Sequence, residues 1–309
     1  MRSQGPQIDD ILRLGMKCNF RCLFCNIFNN ENIPEKSLEQ AIQELKALSR
    51  TSLLISISGG EPLLYPYLEE LIWAGTRMGI SLNLQTNASL ITRKKAEKLK
   101  EAGLASAFVN FPSHNSDTFA RLTGTTEKMF YKVVSGIRAL IDADIRVTLN
   151  LVINEWNYSE IKEYLHFTKE NFPEVELINF SVIQPHGNAR INSFLVPDYR
   201  KIKPYISEGV KEARRLGFEI ENPFCGLPVC MAPVQDEIIN SEVRAGIDVR
   251  KTLKITPPLV RVLKSKMHTP SCYRCYLKNF CGGVWKAYYE IRGDVVEPQY
   301  EVFRYWPTG

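Results

Sequence analysis

The sequence predicts an α/β protein: a partial (β/α)6 TIM-like barrel with a small C-terminal cysteine-rich, metal-binding domain. Three observations carry this reading. Short apolar runs alternate about six times with amphipathic helical patterns between residues 8 and 217, which implies parallel strands joined by crossover helices. Six such units fall two short of a closed (β/α)8 barrel. The eight cysteines fall into two groups, 18/22/25 and 225/230/272/275/281, and the second group lies in a Pro- and Cys-rich stretch after the last helical pattern. The boundary is drawn near Gly217–Pro223, giving a core over 8–217 and a second domain over 218–309.

The elements follow in order. Ile11–Leu14 is a short strand. Pro34-Glu35-Lys36-Ser37 opens a helix whose apolar residues Leu38, Ile42, Leu45 and Leu48 recur near the helical period. The run 53–58 is a strand ending in Gly59-Gly60-Glu61-Pro62, and 68–78 is helical. A strand over 81–85 runs into Thr86-Asn87-Ala88. A helix over 94–102 stops at Gly103. Strand 105–111, helix 126–141, strand 146–153, helix 158–171, strand 176–183 and helix 205–216 complete the core.

With 309 residues, 44% hydrophobic and 24% charged, the composition is that of an ordinary globular protein. No apolar run reaches the ~18 residues of a membrane helix, and the N-terminus lacks the apolar core of a signal peptide. A net charge of +5 is mild and its cations are mixed with anions, so neither nucleic acid nor membrane is expected as a partner. Clustered cysteines without a signal peptide read as metal binding in a reducing, oxygen-poor cytoplasm rather than as disulfides.

Cys18, Cys22 and Cys25 stand at the spacing C-x3-C-x2-C just past the first strand. Three soft thiolates suit three irons of a 4Fe–4S cube and leave the fourth iron open. The alternative is a zinc loop with a borrowed fourth ligand. The spacing, with aromatic Phe24 before the third cysteine, resembles the cluster motif of the radical S-adenosylmethionine (radical SAM) enzymes. The resemblance implies that the open iron chelates SAM, and that one electron cleaves it to methionine and a 5′-deoxyadenosyl radical that abstracts a substrate hydrogen. It also implies a flavodoxin- or ferredoxin-like electron donor.

Further motifs lie past the later strands, where barrel folds carry their chemistry. Gly59-Gly60-Glu61-Pro62 resembles the family's contact to the SAM amino group; a tight turn is the bland alternative. Gln85, Thr86 and Asn87 match the position of the family's Thr-Asn-Gly, with loop capping as the alternative. Ser113 and Arg121 resemble the ribose- and carboxylate-contacting segment, and His114 is a contact or a satisfied polar residue. Asn150, Gln184 and Gly187 match positions that line the SAM site in relatives.

Cys272-x2-Cys275-x5-Cys281, preceded by Cys225-x4-Cys230, resembles a twitch or truncated SPASM extension holding one auxiliary 4Fe–4S cluster. Zinc would accept four of these cysteines too. On the resemblance, Cys230, Cys272, Cys275 and Cys281 are the ligands. Cys225 is then left over, a candidate hydrogen-atom donor or else a bystander or alternate ligand.

The expected function is a radical SAM maturase acting on a ribosomally made peptide. The alternatives are a small-molecule dehydrogenase or cofactor-synthesis enzyme, and a non-enzymatic iron–sulfur or zinc scaffold or electron carrier. No peptide-recognition domain precedes residue 8, so leader capture would fall to a separate protein or a groove in the core.

Overall fold

The computed structural model describes residues 10–26, 34–231, 265–279 and 281–298. One parallel sheet organises the chain. Its strands, in spatial and sequence order, are β1 Asp10–Arg13, β2 Leu54–Ser58, β3 Ser81–Thr86, β4 Ser106–Asn110, β5 Arg146–Ile153, β6 Leu177–Val182 and β7 Glu219–Cys225. Each pairs in parallel with the next.

The helices are α1 Leu38–Leu48, α2 Leu68–Arg77, α3 Arg93–Glu101, α4 Ser116–Thr123, α5 Glu127–Asp142, α6 Ile161–Asn171, α7 Asn188–Ile191 and α8 Tyr199–Arg215. Strand neighbours that are also sequence neighbours, joined by right-handed crossovers, put every connecting helix on one side of the sheet. Successive helices accordingly pack on one another, α1 on α2, α2 on α3, α3 on α5 and α6 on α8. They bury a uniformly apolar sheet face of Leu12, Ile55, Ile57, Leu82, Leu84, Ala107, Val109, Leu149, Leu151, Ile178 and Phe180, each at most 1% exposed.

Local chemistry sets the helix ends. Ser37 and Gln40 form a capping box on α1, and Thr92 caps α3. A helix absent from the sequence reading, α4, is capped by Asn115, which accepts from the Thr118 N–H at 3.0 Å, and stopped by Gly124 at φ +62°. Helix α8 begins six residues before the expected 205. Pro204, just outside the expected helix, sits inside it, where its missing N–H forgoes the bond to the Arg200 carbonyl.

The sheet also continues past the boundary expected at 217. The stretch from Glu219 to Cys225 carries Pro223 and reads as irregular, yet it pairs with β6 through a register break between Asn179 and Ser181. Such a break lets an edge strand accommodate proline.

Beyond it, β8 Lys266–Met267 and β9 Val284–Trp285 form a two-stranded antiparallel ribbon followed by α9 Lys286–Arg292. This unit docks on α8 and the segment before it. The Tyr199 and Tyr288 rings stack with centroids 3.7 Å apart. The Tyr199 N–H donates to Tyr288 Oη at 3.1 Å, and Arg292 Nε donates to the Val196 carbonyl at 3.0 Å.

Candidate functional site

The three N-terminal cysteines occupy one loop at the C-terminal end of β1, clamped from two sides. The Arg21 and Leu23 N–H groups donate to the Thr123 and Leu122 carbonyls at the end of α4 (3.0 and 2.9 Å). From α7, Asn188 Nδ2 donates to the Cys22 carbonyl and Asn192 Nδ2, just past the helix, to that of Leu23, each at 3.1 Å. Gly124 is required here, because a Cβ on it would meet the Arg21 carbonyl oxygen at 2.7 Å. Phe20 and Phe24 are buried beneath the loop, with Phe20 edge-on to Phe119.

Burial raises the Cys18 thiol, and it raises that of Cys22 well above its ordinary value; Cys25 adds a further upward push to both. Three thiols close enough to disfavour one another's ionisation, in a partly dry loop, suit a multivalent cationic core that draws off their protons. They fit the iron–sulfur cluster that the spacing suggests.

The Gly59-Gly60-Glu61 segment locks onto this loop. The Gly60 and Glu61 N–H groups donate to the Gly15 and Lys17 carbonyls at 2.9 and 2.8 Å. A Cβ on Gly59, which lies at φ +151°, would meet the Gly15 oxygen at 2.3 Å, and one on Gly60 the Lys17 oxygen at 2.2 Å. The glycine pair is thus demanded by backbone packed on backbone.

Glu61 is buried. Its Oε1 accepts from Thr86 Oγ1 at 2.6 Å and from the Leu63 N–H at 3.1 Å, and its Oε2 accepts from the Asn87 N–H at 2.8 Å. Burial nonetheless raises its carboxyl pKa. Asn87 Nδ2 donates to Asn19 Oδ1 at 2.9 Å, and Asn19 Nδ2 to Ser89 Oγ at 2.8 Å, which ties the end of β3 to the cysteine loop. Pro62 begins a single 3-10 turn that Glu61 caps.

The other expected contacts are dispersed around the strand ends. Ser113 is buried, and its Oγ accepts from the Asn115 N–H at 3.1 Å, forming the turn that starts α4. Arg121 points outward, with its guanidinium 4.3 Å from the centroid of the Trp156 ring and 3.7 Å from exposed Asp117. Gln85 and Asn150 lie on β3 and β5, on the sheet face opposite the helices. Gln184 and Gly187 lead into α7, Gly187 at φ +55°. The sequence reading passed over Asn83, Ser106, Asn179 and Ser181, which share that face; their signal was the period-two alternation of polar with apolar residues along β3, β4 and β6.

In the C-terminal unit, Cys230, Cys272, Cys275 and Cys281 line one cavity together with His268 and Lys278. The Gly283 N–H donates to Cys281 Sγ at 3.3 Å, and Thr269 Oγ1 lies 3.4 Å from Cys272 Sγ. His268 Nε2 lies 2.8 Å from the Cys281 carbonyl oxygen. Burial pushes the Cys230 thiol up to about 12, with the other three cysteines adding to the shift. Four sulfurs ringing a cavity, one accepting from the Gly283 N–H and another beside the Thr269 hydroxyl, fit a metal–sulfur core. Cys225 ends β7 beside Ser181 of β6; its side chain lies outside the described residues. Trp285, on β9, is buried edge-on to His186 at 5.0 Å, so this unit meets the segment that clamps the first cysteine loop.

Residues 12–168 match the Radical SAM superfamily, and the chain belongs to it. It is a radical SAM enzyme, a class whose fold implies SAM and a 4Fe–4S cluster. Among curated proteins it is 29% identical over 203 residues to the AdoMet-dependent heme synthase of Methanosarcina barkeri, covering 64% of this chain and 57% of that protein. It is 31% identical over 186 residues to the GTP 3',8-cyclase of Helicobacter pylori, covering 56% of each. The chain therefore spans less than two thirds of the length of either. Its fold is similar to that of anSMEcpe with bound AdoMet and Cp18Cys peptide (TM-score 0.64, 14% identity, 94% of this chain and 92% of that one). It is also similar to Streptococcus suis SuiB bound to precursor peptide SuiA (TM-score 0.62, 18% identity, 91% and 72%). No helix among the described residues is long and apolar enough to cross a membrane.

Proposed function

We propose that this radical SAM enzyme modifies a peptide or protein and carries one auxiliary 4Fe–4S cluster in a C-terminal domain of the twitch or SPASM kind. The observation that carries the reading is the four-thiol cavity of Cys230, Cys272, Cys275 and Cys281, held against the barrel by the Tyr199–Tyr288 stack. Four thiols around one cavity supply a polynuclear iron–sulfur core with its full set of ligands. The fold likeness to anSMEcpe, seen with a peptide, runs through 94% of this chain and so includes the C-terminal unit.

In this reading Cys18, Cys22 and Cys25 hold the first cluster. When bound, that cluster and SAM supply the means to break an unactivated C–H bond. The chain binds and orients them. Glu61, Asn87 and Asn19 hold the loop in register, and Phe20 and Phe24 keep water from beneath it. Phe24, Gly59, Gly60, Glu61, Pro62, Gln85, Asn87, Ser113, Arg121, Asn150, Gln184 and Gly187 remain the proposed surroundings of SAM, and Cys225 a candidate hydrogen-atom donor.

A small-molecule reading has its own support, since the curated relatives are named as a heme synthase and a GTP cyclase. Anaerobic reconstitution with iron and sulfide counting, followed by an assay for 5′-deoxyadenosine with dithionite and SAM, tests the proposal. About eight irons per chain, falling to about four in Cys230→Ala, is the expected result. Four irons and a bound zinc would remove the auxiliary cluster. No SAM cleavage by an intact, reducible first cluster would favour a carrier role.

A further inference from the structure

The loop that carries Cys18, Cys22 and Cys25 gives three of its carbonyls to one short segment. Asn188 Nδ2 donates to the Cys22 carbonyl and Asn192 Nδ2 to that of Leu23, each at 3.1 Å, and the Ala189 N–H donates to the Cys25 carbonyl at 3.3 Å. Asn188 and Ala189 are buried, where such bonds are electrostatically stronger than in water. Asn192 also closes the turn, its N–H and its Nδ2 both donating to the Asn188 carbonyl at 2.8 and 3.0 Å. The two asparagines form one clamp.

The same segment is held by the C-terminal unit. His186 lies edge-on to Trp285 with ring centroids 5.0 Å apart. Arg292 Nε donates to the Val196 carbonyl at 3.0 Å, and the Tyr199 N–H donates to Tyr288 Oη at 3.1 Å. Arg190 meets Glu290 at 2.7 Å, but both are exposed and such a pair adds little. Contacts to the cysteine loop at 188, 189 and 192 thus lie between contacts to the C-terminal unit at 186, 190, 196 and 199. Helix α7 itself is a single turn, too short to hold its shape alone. Its two partners set that shape jointly.

Those partners carry the two cysteine sites. The Gly283 N–H, two residues before Trp285, donates to Cys281 Sγ at 3.3 Å. Asn188 stands two residues after His186. One ring contact therefore separates the strand that touches a thiol of the four-thiol cavity from the side chain that holds a carbonyl of the first loop.

We infer that residues 186–199 couple the two cysteine sites, with Asn188 and Asn192 as positioning residues for the loop of Cys22 and Cys25. Filling the four-thiol cavity fixes β9 and α9, these fix the segment, and the segment presents the loop already ordered. A metal core arriving at that loop then meets a smaller entropic cost. Linkage makes the effect mutual: filling the loop favours filling the cavity by the same factor. The inference rests on the reading that the cavity holds a metal–sulfur core, and it gives that core an effect on the first site that needs no electron transfer.

The test uses the full chain carrying Cys18→Ala, which removes one thiol of the first loop and leaves the three carbonyl contacts in place. Hydrogen exchange is followed by mass spectrometry in the metal-free protein and after anaerobic loading with iron and sulfide. About four irons per chain are expected. Exchange over 16–26 should slow about tenfold on loading, although that loop lacks its third thiol, since coupling between sites is typically about 5–150-fold. Adding Asn188→Ala and Asn192→Ala should keep the irons and the protection over 284–292 and abolish the iron-dependent slowing over 16–26. In Cys230→Ala, loading the first loop should slow exchange over 284–292.

Four irons with unchanged exchange over 16–26 would overturn the coupling and spare the auxiliary cluster. Slowing that survives the loss of both asparagines would overturn their role, because a merely structural part would shift exchange alike with and without iron. No iron in Cys18→Ala would overturn the auxiliary-cluster reading itself, and the coupling with it.

Discussion

Gly60→Ala places a methyl carbon 2.2 Å from the Lys17 carbonyl oxygen and 2.5 Å from that of Met16. Both are backbone atoms of the cysteine loop, so no flexible side chain can swing aside. Relief requires the loop to move away, which strains the two bonds from the Gly60 and Glu61 N–H groups to Gly15 and Lys17. Overpacking costs about 1–3 kcal/mol, and each weakened hydrogen bond about 1 kcal/mol. We expect a loss near 3 kcal/mol, or a urea midpoint lower by roughly 1 M at about 3 kcal/mol per molar. The metal-free protein is the right sample, followed by tryptophan fluorescence, because no ligand then contributes. A contact made only to SAM would leave this midpoint untouched and weaken SAM binding alone. An unchanged midpoint would refute the backbone-packing account of the glycine pair.

Two further outcomes follow from the same geometry. Tyr288→Phe keeps the ring stack but removes the oxygen that accepts from the Tyr199 N–H, so the docked C-terminal unit should lose about 1–2 kcal/mol. Hydrogen exchange over residues 265–298 would report it, and wild-type protection there would contradict it. Burial raises the Glu61 carboxyl above its ordinary 4.5, so the folded chain holds that proton more tightly than the unfolded one. This contribution to stability is full below pH 4.5 and is lost as pH rises through the raised value. Glu61→Gln should abolish that part of the slope in urea midpoints measured across pH, and parallel slopes in variant and wild type would count against it.

Much of the barrel was legible in the sequence because its signals are local. Strand β5 was read with its boundaries at Arg146 and Ile153, since an eight-residue apolar-rich run between two helical periods admits few alternatives. The cysteine spacing was legible for the same reason: one short loop holds all three thiols. Helix α4 was not, because a segment of Ser, His, Asn and Asp reads as a loop until its cap and stop are seen together. Strand β7 was hidden by Pro223, which an edge strand tolerates where its missing N–H faces away from the partner or, as here, beside a break in register.

By itself, then, the sequence determined the order of strand and helix, the two cysteine groups and the motif at each strand end. These depend on periodicity and spacing over a few residues. Only the tertiary structure decided what those motifs touch. Gly59 and Gly60, read as a ligand contact or a tight turn, lie against the backbone of residues 15–17. Arg121 rests on Trp156 and lies 3.7 Å from the Asp117 carboxylate, neighbours that spacing alone does not name. The carboxamides Asn83, Gln85, Asn110, Asn150 and Asn179, spread over β3 to β6, came to share one face of the sheet. Parallel register sets residues about 30 apart in sequence side by side, as in the Asn150–Asn179 pair, and that proximity has no local signature.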